Sequence, residues 1–385
     1  MIVKVAENII SPLGVGVEEN FARIKAKESA IRRYVGKRGI PEPFTASLFE
    51  DGVIERMFVE ESVDRNTAYT LFEQAAILSA QRALRDCRQI DPSSDRVLFA
   101  VSTTKGNVDL LDNRAGFEPE REYLGVAAGY ISRYFGNMNT PVVVSNACAS
   151  GACAQLAAFR FLKSGKYDYV IVVGADIQSK FIVTGFQSFK ALATDGCRPF
   201  DSERCGLNPG EAAATIIYAD KDERDVTARD WALMKGAIRN DANHISGPSR
   251  TGEGCYRALT SILKDESTDD IAVINAHGTA TLYNDEMESI AIDRAGLTDI
   301  PVNSLKGYYG HTMGAAGILE TLLTQRALED GLVLGTRGFA NSGVSRPIAV
   351  SGQHSATLKR SFVKMLSGFG GCNAALLFRQ GGGLC

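Results

Sequence analysis

Three short segments of the chain carry side chains that could work together in one catalytic centre. They are residues 145–151, 277–279 and 306–312, and they contain a cysteine and two of the four histidines of the 385-residue chain. A nucleophilic thiol can be acylated, and two imidazoles can stabilise an enolate on a second substrate. The residue types therefore predict covalent acyl transfer combined with enolate chemistry.

Cys148 is the candidate nucleophile. It lies between an apolar strand pattern at 142–144 and a pattern of small residues at 149–162 that predicts a helix. A helix N-terminus offers unpaired N–H groups and a partial positive charge, so we expect it to lower the pKa of the thiol and to make the thiolate accessible at neutral pH. A buried structural cysteine is the alternative for an isolated residue. The two histidine segments favour the nucleophile.

His277 and His311 are the candidate partners of the thiol. His277 follows an apolar strand pattern at 271–275, at the strand end where open α/β sheets bind ligands. Glycines flank His311, which indicates backbone wrapped closely around a cavity, although a plain turn also uses glycines. Lys306 lies five residues before His311 and Glu320 nine residues after it. A lysine near two imidazoles would keep at least one of them neutral, and a carboxylate would offset the burial of that lysine.

A glycine-rich turn at 368–371 is the candidate for one side of an oxyanion hole. An acyl thioester on Cys148 needs N–H donors for its carbonyl oxygen, and the backbone of Cys148 is one natural donor. Gly368 and Gly370 permit a close approach of substrate to the turn, which could supply another donor. Loss of CO2 from a malonyl group would then create a carbanion that attacks the acylated cysteine.

Strand-like runs alternate with helical patterns along the chain, which predicts an α/β protein. Strand patterns lie at 97–101, 142–144, 169–174, 212–218, 271–275, 301–303, 362–366 and 374–378. Helical spacing of small or apolar residues marks 62–87, 149–162 and 315–328. The charged run 221–225 predicts a boundary between a half at 1–220, which carries the cysteine, and a half at 221–385, which carries the histidine pair.

Composition and charge argue against several other classes of protein. The formal net charge of -3, without a basic stripe, argues against nucleic-acid binding. No run approaches the roughly 18 consecutive apolar residues of a membrane helix, and the chain begins with a strand-like run rather than a signal peptide. The eight cysteines have no paired spacing, which favours free thiols in the cytoplasm and predicts no metal site.

Taken together, these segments resemble those of the elongating β-ketoacyl-(acyl-carrier-protein) synthases of the thiolase superfamily. The resemblance extends over nearly the whole chain and rests on blocks at 10–14, 198–201, 210–213, 306–320 and 368–373. The block at 306–320 is the most specific. The resemblance implies a thiolase-like five-layer αβαβα fold with two similar halves and, in most members, a homodimer.

The resemblance also implies an activity. It is the decarboxylative Claisen condensation of an enzyme-bound acyl chain with malonyl-acyl-carrier-protein, which gives β-ketoacyl-acyl-carrier-protein and CO2 in fatty acid, polyketide or polyene biosynthesis. The implied partners are an acyl carrier protein and acyl and malonyl thioesters. No cofactor is expected, because phosphopantetheine arrives on the carrier protein.

Roles for single residues follow from the same resemblance. Cys148 would accept the acyl group, His277 and His311 would support decarboxylation and the enolate, and Lys306 with Glu320 would form a supporting charged pair. Phe369 matches the gating aromatic residue, and its N–H would share the oxyanion hole. Thr279, Thr281 and Ser246 match positions that bind pantetheine. Asp285 and Glu288 match a supporting pair of acids. Candidate contacts for an acidic carrier protein are Arg65, Lys105 and Arg250.

The chain departs from the family pattern without losing a catalytic group. Ala149 stands where serine is common, Ala280 where glycine is usual, and Cys372 precedes Asn373 where threonine is usual. These changes concern the acyl pocket, and with it the chain length that is accepted.

Four alternative functions rank below the elongating synthase. Initiating synthases use a Cys-His-Asn set and thiolases a second catalytic cysteine, whereas His311 is the second partner here. A non-catalytic partner subunit of a heterodimeric ketosynthase typically lacks the nucleophile, although a heterodimer with such a subunit stays an alternative to the homodimer. A cysteine hydrolase would leave the second histidine and the lysine unused.

Overall fold

Fifteen strands, ten α-helices and five short 3-10 helices lie in the part of the chain that the computed structural model describes, residues 1–64 and 66–381. Arg65 and the tail 382–385 lie outside the described residues. The strands are β1 (Ile2–Ser11), β2 (Gly14–Val15), β3 (Arg32–Tyr34), β4 (Phe44–Ala46), β5 (Val97–Ser102), β6 (Val142–Val144), β7 (Tyr169–Asp176), β8 (Ala212–Asp220), β9 (Trp231–Asn240), β10 (Ile271–Asn275), β11 (Val302–Asn303), β12 (Leu332–Val333), β13 (Ser355–Ala356), β14 (Ser361–Gly368) and β15 (Cys372–Gln380). The helices are α1 (Val17–Lys25), α2 (Val53–Glu61), α3 (Leu71–Arg85), α4 (Leu124–Tyr134), α5 (Ser150–Lys163), α6 (Lys180–Ser188), α7 (Glu253–Leu263), α8 (Leu282–Arg294), α9 (Lys306–Tyr309) and α10 (Ala316–Glu329).

The sheet repeats one pattern of strands twice. Its order is β6-β5-β7-β8-β1 in the first half of the chain and β11-β10-β14-β15-β9 in the second. In each half the first three strands are parallel to one another. Each of the last two strands pairs antiparallel with the strand before it in this order. The halves meet where β1 pairs with β9 through Val3 and Ala232. The chain therefore folds as two similar halves, while the boundary at 220 and 221 stays a prediction.

Helices cover both half-sheets and produce the five αβαβα layers. Helix α3 packs on the first half-sheet and α7 on the second, and α8 packs against α7. Helices α5 and α10 lie between the two half-sheets and contact strands of both. Three hydrophobic clusters fill the spaces between these layers. Most residues of α5 and α10 are buried, so these helices have no continuous polar face, and their exposed charged residues lie near their C-terminal ends.

Glycines allow the central helices to approach closely near the site. A Cβ atom at Gly151 of α5 would lie 2.9 Å from the carbonyl oxygen of Gly314. A Cβ atom at Gly317 of α10 would lie 2.5 Å from the backbone nitrogen of Ala152. Side chains do not fit at these contacts, so the start of α5 is fixed against the segment that precedes α10.

The elements predicted beside the three chemical segments are present. Strands β6 and β10 span the residues expected from the sequence, and the turn at 368–371 joins β14 and β15 as a hairpin. The extent of the helix expected at 62–87 was wrong. Helix α3 begins at Leu71, because Thr70 and Glu73 form a capping box that fixes its N-terminus.

Two further features concern the chain as a whole. None of the helices in the described ranges is long and apolar enough to cross a membrane. Seven of the eight cysteines fall within the described residues, and all seven are free thiols; Cys385 lies outside them.

Candidate active site

A tight loop carries Cys148 from β6 to α5. Ala147, directly before the cysteine, has a φ of 45°, a left-handed conformation that is strained for an alanine. The Ala149 N–H donates to the carbonyl of Asn146 at 3.1 Å, and the hydroxyl of Ser150 donates to the carbonyl of Ala147 at 2.6 Å. The same hydroxyl accepts from the N–H of Asn146 at 2.8 Å. These bonds hold the cysteine just ahead of the helix.

The side chains from the three segments meet at one point. The Sγ atom of Cys148, one ring nitrogen of His277 and one ring nitrogen of His311 lie within 4.8 Å of one another. The two imidazole centroids are 5.0 Å apart, and the rings make an angle of 77°. Each residue follows the carboxyl end of a parallel strand, β6, β10 or β11. The cluster therefore lies where the strand ends of the two halves face each other.

Both imidazoles of the cluster are neutral. Burial lowers the pKa of His277 and of His311 well below the usual value, and the charges of Lys306 and Lys364 lower both further. Nδ1 of His311 accepts a hydrogen bond from the N–H of Met313 at 3.2 Å, so the proton of the neutral ring lies on Nε2. This Nε2 is buried and has no partner among the described residues. His311 therefore presents an N–H donor at the site.

This tautomer bears on metal binding, for which a thiol and two imidazoles would be suitable ligands. A metal ion at Nε2 of His311 would require the ring proton to move to Nδ1. The N–H of Met313 already donates to Nδ1, so that tautomer would place two donors against each other. The geometry favours hydrogen bonding by His311 over metal coordination.

The pKa of the nucleophile differs from the expectation drawn from the sequence. Burial raises the pKa of the Cys148 thiol to about 11, and the positive charge of Lys306 offsets this only in part. The lowering of the thiol pKa that was expected from the helix N-terminus is not found, and desolvation of the anion by burial is the largest cause of the raised value. The thiol must lose its proton to a base during the reaction, and the neighbouring rings are neutral bases.

Glu320 joins two buried lysines behind the histidines. Nζ of Lys306 donates to Oε1 of Glu320 at 2.7 Å, which is the pair expected from the sequence. Nζ of Lys364 donates to the second oxygen, Oε2. Burial alone would raise the pKa of Glu320, but the two ammonium groups hold it below its usual value. Burial lowers the pKa of Lys364 to about 8.

Asp285 and Glu288 on α8 hold the backbone around His277. Glu288 accepts hydrogen bonds from the N–H groups of His277 and Gly278, both at 2.7 Å. Asp285 accepts one from the N–H of Phe200 at 2.6 Å. Burial raises the pKa of Asp285 to about 6 and that of Glu288 to about 7. The two acids thus contact backbone rather than the cavity.

A cavity of about 400 Å³ opens onto the Cys148 cluster. The other predicted site residues that line it are Ser246, Thr279, Thr281, Gly368 and Phe369. The hydroxyls of Thr279 and Thr281 lie 2.8 Å apart. The structure does not bring Gly370 to the cavity, because its N–H donates outward to the carbonyl of Ile245 at 2.7 Å. The prediction of a substrate contact at Gly370 is therefore not supported.

The turn between β14 and β15 lies against the nucleophile loop. A Cβ atom at Gly368 would lie 3.2 Å from the backbone nitrogen of Cys148. Within the described residues, the N–H groups of Cys148 and Phe369 make no hydrogen bond. The ring of Phe369 packs against Phe186 and Phe189, with centroid distances of 6.2 and 5.6 Å. These three rings form an aromatic wall of the cavity beside two free N–H donors.

Two residues of the site were missed in the sequence. Lys364 gave no signal, because a lysine in a strand ordinarily faces solvent. Asp176, at the end of β7, accepts from the Thr103 hydroxyl at 2.7 Å and from the Gly314 N–H at 2.6 Å, and so joins the two halves. Its place at the carboxyl end of a buried strand is the one hint that the sequence offered.

Comparison with known proteins identifies a family whose models match most of the chain. The family model described as β-ketoacyl synthase, N-terminal domain, matches residues 2–223, and that of the C-terminal domain matches residues 232–340. A putative mitochondrial 3-oxoacyl-[acyl-carrier-protein] synthase of Schizosaccharomyces pombe is 30% identical over 423 residues, which covers 96% of this chain and 97% of that protein.

Two further similarities extend over the full length. 3-Oxoacyl-[acyl-carrier-protein] synthase 2 of Rhizobium meliloti is 28% identical over 413 residues, and the match covers 97% of each protein. Among solved structures, the ishigamide ketosynthase/chain length factor superposes with a TM-score of 0.85 at 26% identity and covers 98% of each chain.

Proposed function

This chain belongs to the β-ketoacyl synthase family. We propose that its thiol and its two neutral imidazoles carry out the condensation of that family. The reaction joins an enzyme-bound acyl chain to malonyl-acyl-carrier-protein and gives β-ketoacyl-acyl-carrier-protein and CO2. The observation that carries the assignment of residues is the convergence of Cys148, His277 and His311 within 4.8 Å.

Acylation of Cys148 is the first step. The sulfur attacks the thioester carbonyl of the incoming acyl carrier, the new acyl–sulfur bond forms, and the carrier thiol leaves with the proton that the cysteine gave up. Since the pKa of the Cys148 thiol is about 11 and Nε2 of His311 already carries a proton, the ring of His277 takes up the thiol proton as the sulfur attacks. The free N–H groups of Cys148 and Phe369 stabilise the oxyanion that forms.

Decarboxylation of the malonyl group is the second step. The N–H of His311 at Nε2 and the ring of His277 bind the thioester carbonyl of the malonyl unit, so that negative charge can build on its oxygen as CO2 leaves. The enolate carbon then attacks the acyl carbonyl on Cys148. The carbon–carbon bond forms, the carbon–sulfur bond breaks, and the Cys148 thiolate that leaves takes up a proton from solvent.

The carrier protein delivers its substrates through the cavity. Thr279, Thr281 and Ser246 line the cavity and are suited to hydrogen-bond the pantetheine arm. Lys105 and Arg250 are exposed and stay candidates for contact with an acidic carrier surface, as does the cavity-lining Lys190, which the sequence analysis did not consider. We propose no cofactor beyond the carrier's phosphopantetheine.

Assembly and pathway belong to this proposal as well. We propose a cytoplasmic dimer, since one solved relative is a ketosynthase/chain length factor and others are synthases of acyl carrier protein substrates. A heterodimer with a chain length factor is as consistent with these names as a homodimer. In either case this chain would be the catalytic subunit, because the complete Cys148 cluster disfavours a non-catalytic partner.

Intact-mass analysis tests the proposed nucleophile. The protein is incubated with an acyl-carrier thioester, and we expect an adduct of one acyl group on the parent and none on Cys148→Ala. Cys205→Ala is the matched control, because Cys205 is an exposed thiol that lines the same cavity. If Cys148→Ala were fully acylated and Cys205→Ala were not acylated, Cys205 would be the nucleophile and the assignment of Cys148 would be wrong.

A further inference from the structure

Lys364 is a buried lysine that the steps described above do not use. Its side chain is 0% exposed, and it lies on β14 opposite Asn275 of β10. Within the described residues, Lys306 is the other buried lysine. A buried ammonium group is costly unless it is well paired, so the presence of a second one beside the same carboxylate calls for a physical reason.

Neutralising Glu320 is not a sufficient reason. Lys306 already places its Nζ 2.7 Å from one oxygen of Glu320, and a single ammonium group balances the charge of one carboxylate. Lys364 binds the other oxygen and leaves the triplet with a net positive charge. A neutral hydrogen-bond donor could have satisfied that oxygen at a smaller desolvation cost. The excess positive charge therefore indicates that Lys364 has a role in the function of the site and not only in the stability of the fold.

On one side, the triplet contacts the backbone that carries His277. Nζ of Lys364 lies 3.5 Å from the carbonyl oxygens of Asn275 and of Ala276, the two residues that precede His277. These carbonyls belong to the end of β10, so the ammonium group fixes the point where the chain leaves the sheet.

On the other side, the triplet contacts the backbone that leads to His311. Glu320 binds the side chain of Lys306, and the carbonyl of Lys306 accepts from the N–H of Gly310, directly before His311, at 2.8 Å. One continuous set of hydrogen bonds thus connects the two segments that hold the imidazoles.

We propose that Lys364 is a positioning residue for the condensation: it fixes the segment that carries His277 and, as the second cation on Glu320, adds positive charge beside both imidazoles. This inference rests on the proposed function, because neutral rings matter here as N–H donors to the enolate. The titratable groups that face Lys364 from the surrounding elements are Glu320, Lys306, Glu288, His277 and His311. Its charge lowers the pKa of both rings.

The substitution Lys364→Met tests this role, since it removes the charge and keeps most of the apolar stem. Glu320 retains Lys306 as a partner, so we expect the variant to fold. The acid limb of the kcat profile for CO2 release from malonyl-carrier protein should move up by about one pH unit, because a neighbouring positive charge is lost. Lys359→Met, an exposed lysine just before β14, is the matched control and should keep the parent profile.

Nuclear magnetic resonance of 15N-labelled histidine gives a readout that needs no turnover. The two buried rings should become imidazolium at a higher pH in Lys364→Met than in the parent. Identical ring pKa values in the two proteins would overturn the proposal. If the parent forms no β-ketoacyl product, the proposed function fails, whereas the ring comparison still decides the role of Lys364.

The parent alone provides a second test in case Lys364→Met does not fold. Lys364 has a pKa of about 8, so the charge beside the rings changes near that pH. The 15N shifts of the neutral His277 and His311 rings should pass through a transition there without either ring gaining a proton. Shifts that stay constant through this range would contradict the proposal.

Discussion

Cys148 shows how burial and catalysis oppose each other at a single residue. The sulfur must be shielded to keep water from the acyl thioester, yet the same shielding raises the pKa of the thiol to about 11. The resting nucleophile is thus a thiol that is activated only when an imidazole accepts its proton. This differs from cysteines whose thiolate is stable at neutral pH.

Alkylation rates test this state of Cys148. In a Cys205→Ala background, inactivation by iodoacetamide should accelerate by about tenfold per pH unit above neutrality, because only the thiolate reacts and its fraction keeps rising. Peptide mass analysis of the alkylated protein checks that Cys148 is the site. A rate that levels off near neutral pH would show that the thiol pKa is low after all.

Single residues were predictable from the sequence where chemistry and spacing coincided. Cys148, His277, His311 and the Lys306–Glu320 pair all belong to segments whose composition is unusual for a plain turn or helix. Lys364 was not predictable, because its burial depends on the register of β14 against β10, which a single sequence does not reveal. The thiol pKa was misjudged because desolvation is a property of the folded surroundings.

At the scale of elements, the central helices position the nucleophile. Helix α5 begins two residues after Cys148, and α10 packs against its first turn through Gly151, Gly314 and Gly317. Any side chain at these contacts would push the helices apart. The glycines therefore set the distance between the cysteine and the histidine segments.

Stability measurements on Gly317→Ala test this contact. The new Cβ atom would lie 2.5 Å from the backbone nitrogen of Ala152, so we expect the free energy of unfolding to fall by about 1–3 kcal/mol. Gly185→Ala on α6 is the matched control, since a Cβ atom there meets nothing within 4 Å. That control should be more stable by about 0.5–1 kcal/mol. Equal effects of the two substitutions in urea unfolding would rule out close packing as the cause.

Elements with strong local signals were predicted well, and elements that depend on tertiary pairing were not. The strands before Cys148 and His277 are continuous apolar runs, which buried strands require. The start of α3 was misplaced, because apolar residues before Thr70 imitate helical spacing and the capping box decides the boundary. No local sequence pattern indicated which strands pair with each other in the sheet.

On the scale of the whole molecule, buried acids make stability depend on pH. Folding raises the pKa of Glu288 from 4.5 to about 7 and that of Asp285 from 3.8 to about 6, mainly through burial. The folded state therefore holds these protons more tightly than the unfolded chain does. Their contribution is fully present below the unfolded pKa values and is lost as the pH rises through the folded ones.

The variant Glu288→Gln tests this dependence. For the parent, the free energy of unfolding should fall by about 3 kcal/mol as Glu288 ionises between pH 4.5 and about 7. The variant should lose the part of the decrease that Glu288 contributes and keep the part that Asp285 contributes, whereas Glu286→Gln on the same helix should keep both parts. Denaturant unfolding across this pH range checks the prediction, and a parent stability that rises with pH there would refute it.

The architecture was predictable from the resemblance of five sequence blocks and not from periodicity. Alternating strands and helices indicated an α/β protein, but nothing in that pattern says that two half-sheets stack with α5 and α10 between them. The equal strand order of the two halves appears only in the structure, because strand pairing depends on contacts between residues that are distant in the sequence.

The shared carboxylate of Glu320 also restricts the routes by which this protein can evolve. Replacing either lysine by a neutral residue leaves one opposite charge for the acid, so the fold can tolerate the loss of Lys306 or of Lys364, although the site then loses a cation beside the imidazoles. Replacing Glu320 first would leave two buried cations without their shared carboxylate. Folding therefore constrains the glutamate more tightly than either lysine, whereas the chemistry of the site constrains all three residues.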